Sequence, residues 1–400
     1  MQRNMSNFWS ISLRSNIRKF YLMGFLEALW FPLPIFILYL MDSGLDLGKV
    51  GILLSMLVLV QVIFEIPSSV WADKYSRKNI LIIGTASSTF SSLMLFLGGS
   101  FEYFLIAMVF MGFSGALRSG TDSAIVYDTL LNLGEEKKYD KTQSKIMVCF
   151  FWSRIVASIA GALTYSMDHK LPFLLAIFSS ISLIIVIATL KEPGFCKSSG
   201  SHFAQVKEGL KFLMNEKKAW LIVVTFSLML ATSDVLFYYY QPVLDSAGLT
   251  VIYLSFVYVL INLASSVGSM TYSHLEKKFN QEKMLIFYFS VVIYCTLAFM
   301  TKNLPLILFF IIFLSYNFGT QYIYITGLIN RIVPSSHRAT TISIHSQLYL
   351  LFFSAIILIV GKISSEFSIF YGMAANLLMV LAALIIFFSD KLNKKTIGIQ

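Results

Sequence analysis

The chain has 400 residues, of which 57% are hydrophobic and only 13% charged, with a mean hydropathy of +0.74 and a formal charge of +10. A soluble chain of this length cannot bury so much apolar surface, so the composition excludes a soluble enzyme and points to a polytopic membrane protein. In a membrane protein the positive charge reports orientation and not nucleic-acid binding, and no nucleic-acid partner is expected.

Apolar runs predict twelve membrane helices, near 18–41, 48–70, 79–99, 103–130, 143–166, 172–190, 219–243, 249–273, 284–301, 305–331, 339–361 and 368–389. The fold class expected is therefore all-α, with a six-helix bundle over 1–190, a cytoplasmic linker over 191–218 and a second six-helix bundle over 219–400. Lys and Arg cluster on one side: Arg3 to Lys19, Lys74/Arg77/Lys78, Lys137/Lys138/Lys141, Lys191 to Lys218, Lys277/Lys278/Lys283, Arg331/Arg338 and Lys391 to Lys395. The opposite loops keep only Lys49, Lys170, Lys302 and Lys362. This asymmetry places both termini in the cytoplasm and the chain in the cytoplasmic (inner) membrane.

The first helix carries Glu27 and the pair Pro32/Pro34, which is expected to kink it. An acid at that depth costs roughly 2–4 kcal/mol on insertion scales, so Glu27 should face a cavity, find a partner or take up a proton. The second helix holds Gln61 and Glu65 and ends in the stretch Glu65-Ile66-Pro67-Ser68-Ser69-Val70-Trp71-Ala72-Asp73-Lys74-Tyr75-Ser76-Arg77-Lys78. This sets a carboxylate four residues before a basic pair. The fourth helix is the most polar: Arg118 and Asp122 lie four apart on one face, and Asp128 follows about 9 Å further along the axis. Small residues, among them Gly112, Gly115, Ser119 and Gly120, suit close helix contact.

The stretch around Asp73, Arg77 and Lys78 resembles the loop between helices two and three of the major facilitator superfamily, with Ser69 and Ser76 where that family usually has glycine. Arg118 is similar to the helix-four arginine of its proton-coupled members, and Asp128 to the helix-four acid that meets the loop arginine. The resemblance implies a secondary transporter of the bacterial drug-efflux-like branch, in which Asp73, Arg77, Lys78 and Asp128 form a cytoplasmic latch. In that family the loop acid sits near the start of helix eleven, here after Arg338-Ala339-Thr340-Thr341.

Helix five places Arg154 near mid-membrane, followed by the small-residue face Ala157 to Ala162, without the proline of the exporters' signature in that region. Phe203, Val206, Leu210 and Leu213 recur at helical spacing between lysines, predicting an amphipathic linker helix on the inner membrane surface. Six spans then repeat the rhythm of the first half, itself a transporter signature. The counterpart of the motif loop, His274 to Asn280, keeps its bases but has no acid at the place of Asp73. Asp234 and Tyr238 to Gln241 on helix seven, with Tyr316, Asn317, Gln321, Tyr322 and Tyr324 on helix ten, form a ring- and amide-rich set able to line a cavity.

Three cysteines, Cys149, Cys196 and Cys295, and five histidines are scattered without metal or disulfide spacing, and no phosphate loop appears. A membrane enzyme, a channel and a nucleotide-driven pump are therefore the weaker readings, and no cofactor or metal is expected. The family resemblance implies proton-coupled antiport, a multidrug efflux of amphiphilic compounds, as the expected function; the alternative it offers is proton-coupled import of a nutrient or metal chelate. Three deep acids, Glu27, Asp122 and Asp234, face two deep bases, Arg118 and Arg154, so at least one acid lacks a cationic partner and is the expected proton carrier. With Arg118 and Asp122 paired, that acid is Glu27 or Asp234. The substrate cavity is expected to draw on Glu27, Arg118, Arg154, Tyr239, Gln241 and Tyr322. A monomer in the lipid bilayer, with protons and a small molecule as its partners, completes the expectation.

Overall fold

The computed structural model describes residues 2–194 and 202–392. Among the described residues, twelve helices are long and apolar enough to cross a membrane: Leu13–Asp42, Leu47–Ala72, Arg77–Leu97, Phe101–Asn132, Glu136–Met167, Leu171–Ala188, Ala219–Ser246, Val251–Lys278, Lys283–Met300, Leu304–Ile332, Thr340–Glu366 and Ile369–Phe388. They are called helix one to helix twelve below. Among the described residues there is no strand, as a chain with few polar loops and continuous apolar runs requires in lipid.

Two compact units are present. The first is Met1–Phe36 with Leu59–His202, and the second is Ile37–Val58 with Phe203–Gln400. The sequence rhythm put all of 1–190 in one bundle, whereas residues 37–58 group with the second unit. Small residues account for this. Gly51 lies so close to helix eleven that a Cβ there would be 2.8 Å from the Ile357 carbonyl oxygen, and the hydroxyls of Ser55 and Ser354 are 2.7 Å apart. The Gln241 side chain also accepts the Ile37 N–H at 2.8 Å.

Helix one is interrupted. Its first α-helical stretch stops at Ala28, a turn carries Leu29 to Pro32, a 3-10 turn covers Leu33–Ile35, and α-helix resumes at Phe36–Asp42. Pro32 and Pro34 lack the N–H that would carry the helical hydrogen-bond ladder through this stretch. The carbonyls released by the break find partners elsewhere. Ser153 of helix five donates to Phe25 O at 2.5 Å, and Ser179 of helix six donates to Leu26 O at 2.9 Å. The Phe31 carbonyl presses on Gly161, where a Cβ would lie 2.0 Å away. The small-residue face of helix five thus receives the break in helix one.

Helix four is interrupted too, against the expectation of one run over 103–130. α-Helix covers Phe101–Arg118 and again Thr121–Asn132, with Ser119 and Gly120 between. Gly120 has φ +73, a left-handed conformation that glycine adopts without Cβ strain. Hydropathy is blind to such a break because both halves stay apolar enough to span.

The linker helix, His202–Asn215, packs on the start of helix eleven. Leu213 is fully buried, a Cβ on Gly209 would meet Thr340, and the Phe212 ring stacks on His337 at 4.5 Å. The side chains of Phe203 and Val206 lie outside the described residues. A helix expected only to rest on the inner membrane surface is thereby tied to the protein through its own apolar face.

Candidate binding cavity and motif-loop cluster

Both helix breaks open onto one cavity of about 600 Å³ inside the first unit. Glu27 and Trp30 reach it from helix one, Gln61 from helix two, Thr85, Ser88 and Ser92 from helix three, and Gln143 from helix five. Arg118, Ser119, Asp122 and Ser123 come from the interrupted stretch of helix four. Eight of the lining side chains are hydroxyls, against a few apolar ones such as Leu26, Leu29 and Met111. The size is that of a small-molecule site, but the lining is more polar than usual.

At its centre the Arg118 guanidinium lies 2.7 Å from Glu27 and 3.4 Å from Asp122, and it donates to the Thr85 hydroxyl at 2.9 Å. The pairing expected from the four-residue spacing, Arg118 with Asp122, is thus the looser of the two contacts. The break explains this: once α-helix ends at Arg118 and restarts at Thr121, the i,i+4 geometry of a continuous helix no longer holds. Arg118 is 11% exposed, while Glu27 and Asp122 are 34% and 35% exposed toward the cavity. Three polar atoms in the lining, Trp30 Nε1, Gln143 Oε1 and Asp122 Oδ1, have no hydrogen-bond partner among the described residues.

The remaining sequence-predicted residues are not gathered there. Arg154 sits with its guanidinium 5.6 Å from the Phe150 ring centroid and does not line this cavity. Asp234, Tyr239, Gln241 and Tyr322 belong to the second unit. Asp234 accepts a hydrogen bond from the Tyr349 hydroxyl and, among the described residues, has no ion pair. Tyr239 and Gln241 are buried, and Tyr322 is 61% exposed. Conversely, Thr85, Trp30, Gln61 and Gln143 were not singled out from sequence as cavity residues. Thr85, Ser88 and Ser92 recur at helical spacing on helix three, a readable signal that hydroxyls in an apolar run line a polar interior.

A second polar cluster lies at the end of the same unit that carries the motif residues Arg77 and Lys78. Arg77 pairs with Asp128, as the resemblance implies. Ser76, standing where the family has glycine, is the N-cap of helix three: its hydroxyl accepts the Asn79 N–H at 3.2 Å and donates to Glu192 at 2.6 Å. Lys78 donates to the carbonyls of Ala188 and Leu190, and Lys19 to that of Thr189, so two cations cap the end of helix six. Asn16 and Asn132 bind the backbone at Lys191 and Gly194. Nearby, the hydrogen bond from Lys138, helped by Arg14, holds the Glu135 carboxyl below the usual range. The side chain of Asp73 lies outside the described residues.

The described residues contain no group of three or more His, Cys, Asp or Glu able to hold a metal ion. The model of the Major Facilitator Superfamily matches residues 21–357. The chain belongs to that superfamily. Among its relatives are the uncharacterized MFS-type transporter YxaM of Bacillus subtilis (strain 168), 28% identical over 63% of this chain and 64% of YxaM, and the quinolone resistance protein NorA of Staphylococcus aureus, 24% identical over 48% of this chain and 47% of NorA. The matches thus span less than two thirds of either relative. The solved nucleoside transporter NupG matches with a TM-score of 0.77 at 15% identity over 95% of this chain and 99% of that one. A D-xylose-proton symporter matches with a TM-score of 0.67 at 14% identity, over 95% and 97%. At that identity the likeness is one of fold. This superfamily member is thus all-α and multi-pass, with twelve candidate membrane spans among the described residues.

Proposed function

We propose that this transporter moves a small, hydrophilic, hydroxyl-bearing solute across the cytoplasmic membrane by alternating access, coupled to protons, with both termini cytoplasmic. The observation that carries this reading is the guanidinium of Arg118 shared between Glu27 and Asp122 in a polar cavity at two helix breaks. Two carboxylates against one guanidinium leave one negative charge in excess, and a single proton removes it. Uptake of that proton by Glu27 or Asp122 frees a guanidinium donor for the solute, so proton and solute report to the same three side chains. Intramembrane charge is tolerated where it lines a cavity, and interrupted helices are where transporter folds place their substrate and ion sites. Asp234, hydrogen-bonded only to a phenol among the described residues, is the second candidate carrier.

Efflux of an amphiphilic cation is the second reading, favoured by the same excess negative charge and by the similarity to NorA. Thirteen of the 21 lining residues are polar, eight of them hydroxyl-bearing, which favours the hydrophilic solute and, with it, the import alternative. The latch remains part of the proposal: Arg77 and Asp128, with Lys78 at the end of helix six and Asp73 in the loop, stabilise one of the two alternating states.

The test is transport into proteoliposomes with an imposed pH gradient and a panel of sugars, nucleosides and lipophilic cations. Glu27→Gln is expected to abolish gradient-driven accumulation while keeping solute exchange at zero gradient. Full gradient-driven transport in both Glu27→Gln and Asp234→Asn would overturn the coupling, and transport of lipophilic cations alone would overturn the hydrophilic substrate.

A further inference from the structure

Glu65 is a carboxylate inside the helix-two span that the cavity does not use. Its Oε1 accepts the Ser119 hydroxyl at 2.9 Å. Ser119 is no ordinary neighbour: it is the residue at which the first half of helix four ends, with its N–H on Gly115 O, and it precedes Gly120, where the chain turns left-handed. Immediately before the break stands Arg118, and Asp122 opens the next turn after it. No side-chain cap closes the start of the second half-helix, so its geometry depends on contacts made from outside.

The register of helices two and four holds Glu65 at this point. Phe113 of helix four lies edge-on to Phe64 and Trp71, with ring centroids 4.9 and 6.4 Å away, one residue before Glu65 and six after it. Gly115 leaves room for Gln61, whose Oε1 would be 3.3 Å from a Cβ there. Among the described residues no charged side chain faces Glu65. Helix four presents Ser119 to it, helix two itself offers Gln61, Ser68 and Ser69, and Arg118 and Asp122 turn to the cavity. Ser119 is therefore the partner through which the charge of Glu65 is felt.

We propose that Glu65 is a positioning residue of the transport reaction: through Ser119 it clamps the interruption of helix four and so sets how Arg118 is shared between Glu27 and Asp122. A hydrogen bond to an ionised acceptor is roughly twice as strong as one between neutral groups, so the clamp is tight while Glu65 is ionised and loosens when it takes up a proton. Glu65 lies about two turns before the cytoplasmic motif loop, which makes internal pH the variable that reaches the break. This role rests on the transport reading above. Its distinctive consequence is a backbone one, readable without any transport.

The experiment is hydrogen exchange at the amides of Ser119 and Ala124, normalised to intrinsic rates, in nanodiscs across pH 5–8, with internal-pH dependence of transport measured in parallel. In the unaltered protein, protection at these amides is expected to fall by about tenfold as Glu65 protonates. Ser119→Ala, which changes no charge, should show the low protection at every pH, and Glu65→Gln, which keeps an acceptor, an intermediate and pH-independent protection. Both should flatten the internal-pH profile of transport. Glu27→Gln serves as the control: it should abolish accumulation yet leave protection at the break and its pH dependence unchanged. Protection and pH profile like those of the unaltered protein in Ser119→Ala would overturn the proposal, as would a flattened profile in Glu65→Gln alone. Failure of the transport reading would appear in the Glu27→Gln arm without touching the exchange data.

Discussion

The two units handle their buried polar groups in different ways. The first gathers charge, placing one guanidinium and two carboxylates where helix breaks and hydroxyls make a polar cavity around them. The second buries neutral groups: Asn317 and Gln321, one turn apart on helix ten, are fully buried, and none of their four amide atoms has a hydrogen-bond partner among the described residues. Its acid, Asp234, meets a phenol instead of a cation. The motif-loop ends differ as well. In the first unit a base after helix two pairs with an acid of helix four, Arg77 with Asp128. In the second an acid at the end of helix eight pairs with a base of helix ten, Glu276 with Arg331. The repeat keeps the ion pair and exchanges the signs. The second loop, with no acid at the place of Asp73, still closes on an ion pair through Glu276, which teaches that complementary charge at a helix end does not require the same residue at the same position.

Breaking the charged centre should have the largest effect. Arg118→Gln is expected to reduce transport by about a hundredfold or more, and to cost about 3–5 kcal/mol in unfolding free energy by leaving carboxylates unpaired beside a buried position. Thermal unfolding in detergent reads the second quantity, and adding Glu27→Gln should restore part of it. Full stability in Arg118→Gln would show that the pair is not what holds the cavity walls together.

These two ion pairs sharpen the comparison. Arg77 and Asp128 are 14% and 13% exposed, Arg331 and Glu276 53% and 38%. A double-mutant cycle on the first pair should give a coupling of about 1.5–3 kcal/mol, and one on the second at most about 1 kcal/mol. Equal couplings would remove burial as the cause. The smallest effect is expected from Asn317→Leu and Gln321→Met. Removing an unsatisfied buried amide relieves its desolvation, so each should raise stability by about 1 kcal/mol. A fall in melting temperature would show that these amides find partners in the folded protein.

Much of this molecule was legible beforehand because a bilayer imposes simple rules. The number of spans follows from the length of apolar runs, and the ion pair of Arg77 with Asp128 from the likeness of the loop motif. Glu27 and Arg118 stood out because charge in hydrocarbon needs a reason. Hydropathy could not report that helix four breaks at Ser119 and Gly120, since both halves remain apolar, nor that Arg118 prefers Glu27 to the residue one turn away. The meeting of Thr85, Gln61, Gln143 and Trp30 around one space was likewise unreadable, because each lies on a different helix and lateral packing has no period in the chain. Sequence by itself determined the solvent in which the chain lives, its twelve spans and which residues are too polar for lipid. Tertiary structure decided which of those residues share a cavity, because their partners come from distant segments and a desolvated charge settles on whichever partner the packed helices bring within reach.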